Sequence, residues 1–317
     1  MNSLTRWFRT LIPPSLILAL ASALSGPGAV NAAESGQTFA TPEEAISALA
    51  TAAAAGDSSV LSDLFGPAAA ELVNPDRVQA ANELQAFTAA LRHSQRLVRE
   101  SDSRCVLEVG DDSWPFPIPL VQQAGRWCFD TEAGKDELLN RRIGQNELAT
   151  LRSVRAFVDA QREYAAKDRD GDEVLEFAQS VLSAAGTKSG LYWSPRLDGE
   201  ISPLGPLVAL AQSQGYEVAS RELGAAPAPF HGYLFKVLTR QAKSAPGGKY
   251  SYVINGNMIG GFALVAWPAG HGDTGIMTFI VNQQGRVYQK DLGPNTDRVV
   301  SRLKAYAPDA TWAVSPD

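Results

Sequence analysis

The stretch from Tyr250 to Pro294, YSYVINGNMIGGFALVAWPAGHGDTGIMTFIVNQQGRVYQKDLGP, constrains this chain more than any other part of it. Asn255-Gly256 is the dipeptide a two-residue hairpin turn favours, because both central residues need φ > 0. Met277, Phe279 and Val281 alternate with Thr278, Ile280 and Asn282, and Gln284-Gly285 then returns the chain into Val287 to Gln289. Phe262 to Trp267 is apolar on both faces, as a central strand covered on each side should be. The carboxyl half is therefore expected to be an antiparallel sheet.

The other end of the chain reads as a secretory leader over residues 1–32. Arg6 and Arg9 form its basic region, Leu11 to Leu24 its apolar region, and Val30-Asn31-Ala32 a small-residue cleavage pattern. Pro13 and Pro14 interrupt the apolar run, which is short for a bilayer span of roughly 20 residues. The expected product is exported, periplasmic or extracellular, with no membrane span once the leader is removed. Losing the two leader arginines takes the net charge from −6 to −8. An acidic chain without a Lys/Arg cluster argues against nucleic acid and anionic lipid surfaces as partners.

Cys105 and Cys128 are the two cysteines, in a compartment that permits disulfides. They flank one β-rich stretch, and two readings stand: a Cys105–Cys128 bridge, or two thiols filling apolar space. On strands one and three of a meander they would lie about 9–10 Å apart, beyond the ~7 Å a bridge allows between Cα atoms.

Between these ends the period changes twice. Thr41-Pro42-Glu43-Glu44 opens a helix that stops at Gly56; a short helix follows over Ser58–Phe65, and a longer one over about Asp76–Val98. Strands are expected around Cys105–Val109, Phe116–Val121 and Arg126–Asp130. Pro115, Pro117 and Pro119 remove alternate amides on one side, which assigns the second strand to a sheet edge. Lys135–Arg142 reads as a short helix broken at Gly144. Asn146 then caps a long helix through Leu148, Leu151, Val154, Val158 and Tyr164.

TPEEAISAL opening the first helix and QQAGRWCFD closing a hairpin resemble the NTF2-like α+β cone, over about residues 38–132. The resemblance implies a pocket that Trp114, Phe116, Trp127 and Phe129 would line. The alternative is that these aromatics simply fill the cone, since no acid or His pair lies among them. The second half, with a long helix and then GYLFKV…FALVAWP…GIMTFIVNQQGRVY, is similar to the globular part of type IV pilins. Pilus assembly through an exposed amino-terminal helix is excluded, because this long helix is internal and amphipathic. Several stretches, among them WPFPIPLV, RRIGQNELATLRSVRAFVDAQREYAAKDRDGD, SPLGPLVA and NGNMIGGFALVAWP, resemble a family of secreted bacterial proteins known as domain of unknown function 2950. That resemblance implies no activity. Glu173 departs from it, standing where the family has Gly in a DRDGDG run.

For chemistry, the chain holds no G-x-S-x-G, H-E-x-x-H, Walker loop or G-x-G-x-x-G. His271-Gly272-Asp273 lies in a turn, where a distant serine would be needed to complete a triad. The one constellation with a physical mechanism is Asp168, Asp170 and Asp172, spaced as positions 1, 3 and 5 of a calcium loop, with Glu176 at position 9. Glu173 replaces the position 6 glycine, and Gln179 stands where the bidentate Glu belongs. A Ca²⁺ site and a solvated acidic turn are the competing readings.

The expectation is an α+β protein: leader 1–32, an NTF2-like domain over 33–137, and a long helix plus antiparallel sheet of pilin-like topology over 138–317. Its expected role is a non-enzymatic binding module meeting an envelope or extracellular protein. The alternative is a hydrolase-type enzyme, or a small-molecule or lipid carrier, using the cone pocket.

Overall fold

Thr41 starts the first helix. Its Oγ1 accepts the Glu44 amide at 3.2 Å, Pro42 takes the first helical position, and Glu44 Oε2 reaches back to the Ala40 amide at 3.0 Å. The capping box is thus closed one residue further back than usual. In the computed structural model, residues 36–217 and 228–316 are described, and the leader expected over 1–32 lies outside them. Helices α1 (Pro42–Ala55), α2 (Ser58–Phe65) and α3 (Arg77–His93) come first, with a 3-10 turn over Pro67–Leu72 before α3. Strands β1 (Gln95–Ser101), β2 (Arg104–Val109), β3 (Trp114–Pro115), β4 (Leu120–Gln123) and β5 (Arg126–Phe129) follow. Then come α4 (Thr131–Tyr164) and α5 (Gly205–Ser213). The carboxyl part holds β6 (Tyr233–Leu238), β7 (Arg240–Gln241), β8 (Tyr250–Ser251), β9 (Val253–Ile254), β10 (Asn257–Met258), β11 (Ala263–Pro268), β12 (Met277–Asn282), β13 (Tyr288–Asp291), α6 (Thr296–Arg302) and β14 (Ala313–Val314). Helices and antiparallel sheets are segregated along the chain, so the protein is α+β.

The first sheet runs β1-β2-β4-β5, with β3 beside β2. The third helix ends at His93, five residues short of its expected end at Val98, because β1 pairs with β2 from Gln95 onward. The proline segment also differs from expectation. Pro117 to Pro119 interrupt the strand, and the part that resumes at Leu120 pairs on both sides, with Cys105 on β2 and Phe129 on β5. The missing amides split the strand instead of placing it at the edge; β1 takes that position. One core forms under α1 and α2 from Leu49, Leu64, Leu107, Leu120 and Phe129.

The second sheet runs β14-β13-β12-β11-β6. As expected from its composition, β11 is buried on both faces. Phe262, just before it, meets Phe157 of α4 edge-on at 5.7 Å. The opposite face meets α6: Lys236, the cross-strand neighbour of Val265, donates to the Leu303 carbonyl at 2.9 Å, and Trp267 Nε1 donates to Asp297 at 3.1 Å. The alternation expected of β12 is overridden for the same reason, and Thr278 is fully buried beside Phe279. The Asn255-Gly256 turn is present, with φ of +52° and +96° joining β9 to β10.

The expected break at Gly144 is absent. α4 is one helix of 34 residues, and the domain division expected at residues 137 and 138 falls inside it. A helical glycine costs only about 1 kcal/mol, which burial of the turns on either side outweighs: Ile143, Asn146 and Ala149 are all buried. Asn146 does not cap a helix; it sits mid-helix with no exposed surface. Its Nδ2 donates to the Thr274 carbonyl at 2.9 Å, and its Oδ1 accepts from Gln79 Nε2 at 2.9 Å. Four residues earlier Arg142 is also buried, holding Asp273 at 2.7 Å and the Leu72 carbonyl at 2.6 Å. One helix therefore carries polar ties to both sheet layers.

The two glycines of α4 should respond oppositely to alanine. At Gly144 a Cβ meets nothing within 4 Å, so Gly144→Ala should stabilise by roughly 0.5–1 kcal/mol through helix propensity. At Gly134 the Cβ would sit 2.7 Å from Ile118 Cα, so Gly134→Ala should destabilise despite its better propensity. Denaturant titration of the two variants beside the parent chain checks both signs.

Candidate functional site

The four aromatics expected to line a cone pocket do not share one space. Phe116 and Phe129 join Phe65 and Phe87 in a cluster with ring centroids 5.2–6.3 Å apart. Trp127 is buried, its backbone bonded to Phe39 in both directions, with the Arg99 guanidinium 5.9 Å from its ring. Trp114 lies outside, 37% exposed, with Arg141 stacked 4.5 Å over it. Two open surface grooves of about 470 and 420 Å³ lie elsewhere, one along α1 and α2 and one beside Gly66 and Pro67.

Cys105 and Cys128 are free thiols, so the bridge reading is corrected. Strand β4 separates them: Cys105 pairs with Leu120, and Cys128 with Val121. Adjacent β4 residues face opposite ways, so the two thiols point to opposite sides of the sheet. Burial pushes both thiols up from their ordinary range.

The acidic turn follows α4. Asp168, Asp170 and Asp172 offer carboxylate oxygens that all lie within 4.8 Å of one another. Asp168 accepts the amides of Gly171 at 2.7 Å and Glu173 at 3.0 Å, which hold its carboxyl below the usual range. Partial burial and then the charge of Asp172 push Asp170 the other way. The backbone supplies the sharp turn through Gly171 (φ +82°) and Glu173 (φ +67°). Glu173 adopts the left-handed conformation that a glycine would take more easily.

Glu176, expected as a fourth ligand, stands apart from this trio. Its carboxylate accepts the Met258 amide at 2.9 Å, and burial raises its pKa. Gln179 Nε2 donates to the Gly256 carbonyl at 2.6 Å, and Asn257 Nδ2 reaches Asp172 Oδ2 at 2.6 Å. Phe177 pairs with Met258 through the backbone. The turn is thus stitched to the β9–β10 hairpin.

Two residues that hold this arrangement were not singled out from the sequence. Arg169, the one cation inside the acidic run, turns inward with its side chain 4% exposed. It bonds Glu200 at 2.6 Å and lies 5.2 Å from the Trp193 ring, where Lys188 also sits at 5.5 Å. Gln161 is fully buried, and its amide clamps both the N–H and the C=O of Ala178, at 2.9 and 2.8 Å. Its signal was available: a polar residue beside Val158 and Tyr164 on the apolar stripe of the long helix.

The histidines face carboxylates or rings. His93 Nε2 meets Asp111 at 2.8 Å, and His271 Nε2 meets Asp291 at 2.7 Å. Asp273 turns instead to Arg142, so the His271-Gly272-Asp273 turn does not form a dyad. His231 takes φ +48° and lies 4.5 Å from the Phe230 ring and 5.5 Å from Tyr216; burial holds its pKa below the ordinary value.

These features define an α+β protein with a filled amino-terminal core and an acidic turn sewn to a hairpin. The chain belongs to the family described as protein of unknown function (DUF2950), which matches residues 36–314. No curated protein and no solved structure matches it.

Glu200 gathers Lys188, Lys167 and Arg169, and this lowers its carboxyl from 4.5 to about 2. A depressed carboxyl contributes stability above its unfolded pKa and loses it as pH falls toward the folded one. Glu200→Gln should therefore be less stable than the parent at neutral pH. The gap should close as pH falls from about 4.5 toward 2, as paired thermal melts across that range would read.

Proposed function

We propose that this protein is an exported, non-enzymatic binding module of the cell envelope, working through its surface instead of an internal pocket. The observation that carries this reading is the filled interior of the first layer, where Phe65, Phe87, Phe116 and Phe129 occupy the space an NTF2-like cone would offer a ligand. The leader pattern at residues 1–32 supports export, and the acidic balance supports a protein partner over nucleic acid. In this reading the first layer is an NTF2-like cone closed by its own side chains, and the long helix with the second sheet follows a pilin-like plan used for presentation, not polymerisation. Around the acidic turn, Leu175, Ile254 and Ile259 are 59%, 47% and 44% exposed, an apolar surface beside charge that suits protein contact.

Crosslinking in the intact envelope, followed by mass spectrometry, tests this. One dominant partner crosslinked at the turn and hairpin is expected, and it should be lost in Ile259→Asp while the melting curve is kept. A small molecule or lipid retained by the parent chain in native mass spectrometry, and released by Phe116→Ala, would overturn the reading in favour of a carrier or enzyme.

In the same reading the acidic turn is a Ca²⁺ clasp that keeps the hairpin at its angle to α4. Three carboxylates this close repel unless a cation lies between them, at a helix carboxyl end that is already partly negative. Without a bidentate ligand the affinity belongs with the weak extracellular class, with Kd on the order of 10⁻⁴ to 10⁻³ M. At ~1 mM Ca²⁺ that stabilises by roughly 0.4–1.4 kcal/mol. For a chain of this size the expected rise in Tm is about 1–3 °C. Melts in chelator and in millimolar Ca²⁺ should differ by that amount for the parent chain and coincide for Asp170→Ala; parent curves that superimpose leave a solvated turn.

A further inference from the structure

β1 ends the order of the first sheet, with β2 as its neighbour on one side. Its other edge therefore presents a row of amides and carbonyls ready to pair with another strand. Edge strands are blunted by like charges that repel a second copy, by prolines or by bulges. β1 carries a register shift between Arg99 and Ser101, but its charges are of mixed sign: Arg96, Arg99 and Glu100. Mixed charges repel a second copy in some registers and attract it in others.

The face of β1 away from the core can be read residue by residue. Leu97 packs against the first core, so Arg96, Val98 and Glu100 lie on the opposite, solvent side. Across to β2, Arg96 stands opposite Glu108 and is ion-paired with it, and Val98 stands opposite Val106. Glu100 bonds Arg104 Nε at 2.7 Å. The solvent face of the β1–β2 pair is therefore a charged row, an apolar row and a second charged row of reversed polarity.

An antiparallel pair of two β1 strands about a twofold centred on Val98 places Arg96 opposite Glu100 of the second copy, and Glu100 opposite its Arg96. The four-strand rows that result read Glu108, Arg96, Glu100, Arg104 from one copy into the next, with signs alternating throughout. Between the two charged rows lies a continuous apolar row of Val106, Val98, Val98 and Val106. Opposite charges and β-branched pairs directly across from each other are what stabilise neighbouring strands. A twofold contact must be self-complementary, and this strand is.

We propose that β1 is an interaction edge for a second copy of this chain, joining two first sheets into one continuous antiparallel sheet through the Arg96–Glu100 segment. The shift after Arg99 bends the strand beyond this segment and confines the pairing to it.

Light scattering on the purified protein and on charge-reversed variants tests the proposal. The parent chain should run at twice the mass of a single chain and dissociate as salt is raised, because the ladder is exposed to screening. Arg96→Glu places acid against acid across the twofold, and Glu100→Arg places base against base, so each variant alone should run as a single chain. Mixing the two variants restores opposite charges in both crossings, so the equimolar mixture should recover the double mass. That recovery cannot come from misfolded variants. A parent chain that runs as a monomer, variants that remain dimers, or a mixture that stays monomeric would each overturn the proposal.

Discussion

Asn146 is the interaction on which the rest of this structure depends. A primary amide buried in the middle of a helix is costly unless every polar atom is met. Here Thr274 in the second sheet layer takes its N–H and Gln79 on α3 supplies a donor to its oxygen. Because the Thr274 carbonyl can only accept, the orientation of the Asn146 amide is set, and that of Gln79 follows from it. The pair ties helices of the first layer to loops of the second through one helix. Arg142 repeats the device one turn earlier, with the Asp273 carboxylate on one side and the Leu72 carbonyl on the other. Two buried polar links of fixed geometry give α4 a defined rotation about its axis, which apolar contacts alone specify less sharply.

From that rotation the position of the acidic turn follows. With Asn146 facing Thr274, the same helix presents Gln161 to Ala178 and Tyr164 to the Lys188 carbonyl at 2.7 Å. These contacts fold the irregular segment after α4 back along the helix. Arg169 then enters between Trp193 and Glu200, and its neighbours Asp168 and Asp170 are left facing out. The carboxylates are gathered because the cation among them is buried. The turn's grouping of charge is a consequence of packing on the other side of the backbone.

Much of the architecture was legible in the residues. The caps at Thr41 and Asp57, the left-handed turn at Asn255-Gly256 and the doubly buried strand at Ala263–Pro268 are local or periodic signals, and each forms as read. The misreadings share one cause. Gly144 looks like a helix break, Pro117 and Pro119 like an edge, and Cys105 with Cys128 like a bridge, when each is judged by its own neighbourhood. In the fold, burial of α4 overrides the glycine. The prolines lie where the strand is interrupted and only β2 lies beside it, and β4 stands between the two thiols.

The candidate site divides in the same way. The sequence by itself determined which residues bear charge at the turn, since the spacing of Asp168, Asp170 and Asp172 is a property of the chain alone. It also determined the class of fold, because the change from a 3.6-residue to a two-residue apolar period is written along it. Only the tertiary structure decided that Glu176 and Gln179 bind the β9–β10 hairpin instead of joining the carboxylates. It alone decided that Phe116 and Phe129 close a core while Trp114 stays outside. Those outcomes depend on which backbone amides and carbonyls arrive from residues some 80 positions away, and a local pattern carries no information about partners that distant.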